Sequence, residues 1–141
     1  MGKVYVSWQA VENFVEMVDN VVRNQYPQCT GVYGIPRGGL CLATMLSHSL
    51  SVPLLMSPVP GCIIVDDICD SGESLVHYVK NSSSPDKPSY ITVTMFYKDN
   101  RLGVKPNIYW KVKGEDWIIF SWESSLNRAK VAFPDEQITV I

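Results

Sequence analysis

The strongest constraint on the fold of this chain is the string Cys62-Ile63-Ile64-Val65-Asp66-Asp67, in which an unbroken apolar run stops at two carboxylates. A run without polar alternation suits a strand buried on both faces, and such strands belong to parallel sheets covered by helices. Residues on either side agree with that reading. Val11, Phe14, Val15, Val18 and Val22 recur at helical spacing, with Ser7 placed to cap the element and Pro27 to close it. Thr30 to Gly34 is a short strand candidate, and Leu40 to Leu50 sets Leu42, Ala43, Leu46 and Leu50 on one helical face. After the buried strand come a turn-rich segment to Ser74, a helical stretch to Lys80, and β-rich runs at Tyr90–Tyr97 and Trp117–Phe120. Strands alternating with helices predict an α/β domain with a parallel sheet, whose ligands gather at the carboxyl ends of its strands.

Composition narrows the class. The 141 residues are expected to form one domain, 1–141, large enough for a core without metal or disulfide staples. Asn81-Ser82-Ser83-Ser84-Pro85 reads as a solvated turn. A net charge of −2 gives no basic field for nucleic acid. No apolar stretch reaches the roughly 18–20 residues of a membrane span, and Met1-Gly2-Lys3-Val4 opens no secretory leader. The four cysteines, Cys29, Cys41, Cys62 and Cys69, do not suggest a secreted disulfide scaffold, and with His48 and His77 they lack zinc-ligand spacing. A cytoplasmic protein acting on a small molecule is expected.

Two loops carry the chemistry. Asp66, Asp67 and Asp70 leave the apolar strand close together and repel one another unless a cation or sugar hydroxyls engage them. Ser71-Gly72-Glu73-Ser74 then opens the next helix, where free N–H groups, hydroxyls and a close-approaching glycine suit a phosphate. Carboxylates for a ribose beside a cradle for its 5′-phosphate describe a phosphoribosyl site; the bland alternative is strand-end solvation and helix capping. The second loop, Ile35-Pro36-Arg37-Gly38-Gly39, follows the first strand candidate.

The string from Cys62 to Ser74 resembles the 5-phosphoribosyl-1-pyrophosphate (PRPP) motif of type I phosphoribosyltransferases, and Gly34 to Leu40 resembles the same family's pyrophosphate loop. Downstream, Thr94 to Lys98 and Asp116-Trp117-Ile118 resemble the purine pocket of the xanthine–guanine members. The likeness runs from about Ser7 to Glu123. It implies a parallel-sheet domain with a small hood from the terminal segments, and a homo-oligomer, dimer or tetramer. It also implies a purine-salvage reaction in which a 6-oxopurine (guanine, xanthine or hypoxanthine) and PRPP give a nucleoside 5′-monophosphate and pyrophosphate, with Mg²⁺.

The same resemblance assigns roles. Asp66, Asp67, Asp70, Ser71, Gly72, Glu73 and Ser74 would hold the ribose and 5′-phosphate, with Asp70 as general acid/base. Asp66 and Asp67 would meet the metal, directly or through water or ribose. Pro36, Arg37 and the amides of Gly38 and Gly39 would take the pyrophosphate, while Lys98, Trp117 and Ile118 would bind the base. An ammonium selects a carbonyl oxygen over an exocyclic amine, and an aromatic face accepts any flat purine. Trp117 in plain core packing remains open, and Trp8, Trp110 and Trp122 read as packing residues.

Several features depart from the pattern. Family members carry a mobile loop before the buried strand, whereas Ser51 to Gly61 is short and holds Pro53, Pro58 and Pro60. Tyr97–Pro106 or a neighbouring subunit would then cover the site. The lack of a lid also leaves open a PRPP- or nucleotide-binding regulator with weak or no turnover. Cys69 reads as a small filler residue, with a stabilised thiolate open to redox control as the alternative. Lys111, Lys113, Arg128 and Lys130 read as scattered surface charge, and the tail from Asn127 matches no family segment, which leaves a role in assembly open.

Overall fold

The computed structural model describes residues 2–79 and 89–141. The turn expected at 81–85 and the helix end expected at Lys80 lie outside the described residues. In chain order the elements are β1 (Lys3–Val6), α1 (Trp8–Gln25), β2 (Val32–Gly34), α2 (Leu40–Leu50), β3 (Leu54–Leu55), β4 (Ile63–Cys69), α3 (Val76–Val79), β5 (Ile91–Tyr97), β6 (Ile108–Val112), β7 (Trp117–Phe120), α4 (Leu126–Ala132) and β8 (Ile138–Val140).

The main sheet is parallel throughout, in the order β3-β2-β4-β5-β6. One face is sealed by α1 and α2, which pack Val11, Phe14, Val18, Leu42 and Leu46 against Ile63, Val65, Val93 and Met95. Both helices follow the apolar spacing. Ser7 caps α1 by accepting from the Ala10 N–H at 3.1 Å, and the buried set is Ala10, Val11, Phe14, Val15, Val18 and Val22. The opposite face gathers Cys62, Ile64, Cys69, Leu75, Tyr97 and Val104. All seven residues of β5 are buried, as a central parallel strand requires.

The terminal segments form the small hood that was expected: a second parallel sheet, β7-β1-β8. Its alternation is clean. Val6, Ile118 and Phe120 join the main core, while Tyr5 and Ile119 pack under Ala129 of α4. Residues 127–141 therefore complete the hood. Two boundaries are also corrected. The buried strand does not stop at its carboxylates but runs to Cys69, because Asp66, Ile68 and Cys69 pair with Thr94, Phe96 and Tyr97 of β5. The short connection at 51–61 is likewise not free loop: Leu54–Leu55 is the edge strand beside β2.

Candidate active site

Local chemistry shapes the end of β4. Strict alternation would put Val65 and Ile68 on opposite faces, yet both pack with the α1–α2 core, while Ile64 and Cys69 share the other side. The slip falls on the acidic pair. Asp66 Oδ1 accepts from the Asp67 N–H at 2.9 Å, and Asp67 Oδ1 from the Ile68 N–H at 2.7 Å. Asp66 is 7% exposed, so desolvation, reinforced by the Asp67 charge, pushes its carboxyl up to about 8. Asp67 is half-buried and lines a cavity of about 640 Å³ with Arg37, Gly38, Trp122 and Glu123.

The loop from Ile35 to Gly39 reaches that cavity because its glycines let it. The Pro36–Arg37 peptide is cis. A Cβ on Gly38 would run into the Asp67 carboxylate, and one on Gly39 into the Val65 carbonyl, so the loop lies directly on the end of β4. Arg37 and Gly38 face the cavity. Gly39 does not serve as an anion donor, because its N–H is already given to the Ile35 carbonyl at 2.9 Å. Pro36 does not line the cavity.

A second, smaller hollow of about 90 Å³ lies where β4 ends, lined by Ile68, Cys69, Asp70, Ser71, Gly72, Ser74 and Leu75. Gly72 holds φ at +83°, a conformation that glycine adopts without strain. Its α-carbon abuts Asn100 and Val104 of the β5–β6 connection. Ser71 Oγ accepts from the Glu73 N–H at 3.3 Å, and the Glu73 side chain is exposed outside the hollow. Helix α3 begins at Val76, after the last lining residue, so the hollow is built by the loop itself. Cys69 is 2% exposed, and burial pushes its thiol up to about 11, with Asp66 and Asp70 adding to the shift. That fits a buried filler residue and opposes the alternative of a stabilised thiolate.

At the third position, Lys98 follows β5, its backbone N–H donating to the Cys69 carbonyl at 2.8 Å. Its ammonium bonds Glu115 at 2.9 Å, and that contact raises its pKa. Trp117 is not a core residue: it is 59% exposed at the start of β7, with the Lys3 ammonium 5.8 Å from its ring centre. The Trp117 N–H donates to the Gly2 carbonyl at 3.0 Å, so the peptide groups of Ile118 point the other way, to the open edge of the hood. Ile118 thus offers backbone contacts while its side chain is buried.

Sequence reasoning missed three residues. Trp122 stacks on Phe120 with ring centres 4.6 Å apart, but it also lines the larger cavity. Glu123 faces Arg37 and Asp67 across that cavity. Desolvation raises its pKa most, opposed by the Phe120 N–H, and the Asp67 charge raises it further against the pull of Arg37. Lys113, read as surface, is only 13% exposed at its side chain and lies 3.8 Å from Asp70. Nothing in the local sequence marks any of the three, since each reaches the site through a neighbouring strand or the hood. Asp66, in turn, lines neither hollow.

No protein-family model matches the sequence, and no curated protein matches it. Solved structures do. The chain is similar to a purine phosphoribosyltransferase from Pyrococcus horikoshii Ot3, at 25% identity and TM-score 0.69, over 88% of this chain and 95% of that one. It has the type I phosphoribosyltransferase fold. The xanthine-guanine-hypoxanthine phosphoribosyltransferase of Helicobacter pylori matches at 23% identity and TM-score 0.73, over 92% of this chain and 99% of its own. A hypothetical protein from Neisseria gonorrhoeae with bound ppGpp matches at 16% identity and TM-score 0.66, over 93% and 97%. In this phosphoribosyltransferase fold both hollows sit at the carboxyl ends of β2 and β4, the positions where a parallel sheet offers its ligand crevice.

Proposed function

We propose that this protein is a purine phosphoribosyltransferase that joins a 6-oxopurine to PRPP, forming a nucleoside 5′-monophosphate and pyrophosphate. One observation carries the reading: Arg37, Gly38 and Asp67 come from two separate strand ends and share one cavity. The 90 Å³ hollow of the Asp70–Ser74 loop follows the same β4 end. Two hollows along one strand end suit one ligand with a diphosphate at one end and a phosphate at the other. The C1′–O bond to pyrophosphate breaks as the C1′–N9 bond forms, pyrophosphate departs with the bonding pair, and Asp70 takes the proton that the base gives up. Lys98 donates to the 6-oxo group, Trp117 stacks on the ring, and Ile118 supplies backbone contacts.

The donors present fit magnesium. Among the described residues no three histidine, cysteine or acidic side chains converge as a closed metal cage. Asp67 and Glu123 place hard oxygen donors on one open cavity, which suits an ion that keeps most of its water and shares the rest with phosphate. Asp67 and Glu123 would hold it, and Mg²⁺ bound there supplies charge neutralisation for the departing pyrophosphate. Asp66, buried and committed to the Asp67 N–H, would act behind Asp67 rather than as a ligand.

The test is a panel of bases with PRPP and Mg²⁺, read as pyrophosphate and nucleotide. Nucleotide from guanine-type bases and none from adenine is expected, and no nucleotide from any base overturns the reading. The second reading, a nucleotide-binding regulator, is favoured by the 51–61 connection, which is an edge strand rather than a cover for the site. PRPP bound without pyrophosphate release selects it.

A further inference from the structure

Lys113 stands out as a nearly buried charge that the reaction above does not use. Its backbone is fixed by the sheet. Tyr97 pairs with Val112, and the next N–H, that of Lys113, donates to the Tyr97 carbonyl at 2.7 Å, so Lys113 and Lys98 leave adjacent strand ends side by side. Their ammonium groups then part. Lys98 reaches outward to Glu115, a carboxylate 83% exposed, whereas Lys113 turns inward. Its side chain is 13% exposed, with Nζ donating to the Gly114 carbonyl at 3.2 Å and lying 3.8 Å from Asp70 Oδ2.

Asp70 has the opposite character. Its side chain is 56% exposed, and among the described residues it has this one ion pair and no hydrogen bond. A short side chain without hydrogen bonds is free to turn, and a fixed cation beside it favours the rotamer facing that cation. The anchored partner is the lysine, the movable one the carboxylate. We infer that Lys113 is a positioning residue, which aims the Asp70 carboxylate at the base while Lys98 is left to contact the base itself. This inference rests on the transferase reading, through the role given there to Asp70.

Kinetics and spectroscopy test it together, on the full chain. Lys113→Met is expected to lower kcat by about tenfold while both KM values stay within about twofold, because proton transfer rather than binding suffers. Lys113→Arg should restore most of the loss. Adding Lys113→Met to Asp70→Asn should cost little beyond Asp70→Asn alone, as for two groups acting as a unit. An unchanged kcat, additive losses, or a raised base KM at full kcat overturns the inference. A binding-level arm needs no turnover: in lysine-selective NMR, Asp70→Asn should move the Lys113 side-chain resonance more than that of Lys98, and a still Lys113 resonance overturns the pairing. If no base yields nucleotide, the transferase reading fails, and the NMR arm still decides the pairing.

Discussion

Asp66 shows how far one residue's chemistry departs from its appearance in the sequence. As a string, Asp66-Asp67 is a matched acidic pair; in the fold one is buried and the other faces the cavity. The burial has a measurable consequence. Above about pH 4 the unfolded chain has released the Asp66 proton, but the folded chain keeps it until about pH 8. Folding therefore takes up a proton across that window, and stability falls as pH rises through it, with a limiting slope of about 1.4 kcal/mol per pH unit. Denaturant unfolding at several pH values should show that slope in the parent chain and a much flatter one in Asp66→Asn. An equal slope in both would place the titrating group elsewhere. The same contrast explains why the acidic pair was legible as a site and its division of labour was not. The residue types announce polar chemistry at a strand end, but the slip in alternation is shared with β5, where the adjacent Met95 and Phe96 face one core and Tyr97 the other. It belongs to the paired strands and not to the acidic pair alone.

Among the elements, the β5–β6 connection has the least expected role. The sequence offered Tyr97–Pro106 as a cover for the site; in the structure this connection lies against Gly72 as a buttress. Asn100 ties the connection to itself, with Nδ2 donating to the Val104 carbonyl at 2.7 Å and Oδ1 accepting from the Val104 N–H at 3.0 Å. This loop is what Gly72 abuts. Asn100→Ala should cost about 1–2 kcal/mol of stability, the usual range for losing partly buried hydrogen bonds. It should also raise the KM for PRPP while leaving that for the base near its parent value, since the support removed lies behind the phosphate hollow and not the base. Steady-state kinetics with each substrate varied in turn would show this, and equal changes in both constants would contradict it. Elements with strong periodicity, α1, α2, β5 and β7, were visible in the sequence because their burial repeats at 3.6 or 2 residues or fills the whole strand. By contrast, β3 has two residues and β8 three, too few for any period to register.

Across the whole molecule, charge is unevenly spread. The net charge is −2, yet the stretch from 98 to 113 carries Lys98, Arg101, Lys105, Lys111 and Lys113 against the single acid Asp99. It leaves the sheet at the carboxyl end of β5, beside the site. A polyanion such as PRPP would be drawn there by a field that salt screens, with a Debye length of about 10 Å at 0.1 M. Its KM should climb several-fold between about 0.02 and 0.2 M salt, and the double variant Arg101→Gln/Lys105→Gln should flatten that dependence. A salt-insensitive KM in the parent chain would show that only local contacts bind the diphosphate. Among the described residues no helix is long and apolar enough to cross a membrane.

What the sequence determined by itself is what local chemistry can dictate. The unbroken apolar run set a strand buried on both faces, the helical periods set α1 and α2, and glycine beside arginine or serine marked the two loops that line the hollows. Tertiary structure decided what depends on residues distant along the chain. It turned the 127–141 tail into the hood's third strand and its covering helix, brought Glu123 and Trp122 across the cavity from Arg37, and set Lys113 beside Asp70. Parallel pairing is the physical reason. Neighbouring strands in such a sheet are joined by long crossovers, so the side chains that meet at their carboxyl ends are far apart in sequence, and no window along the chain contains both partners.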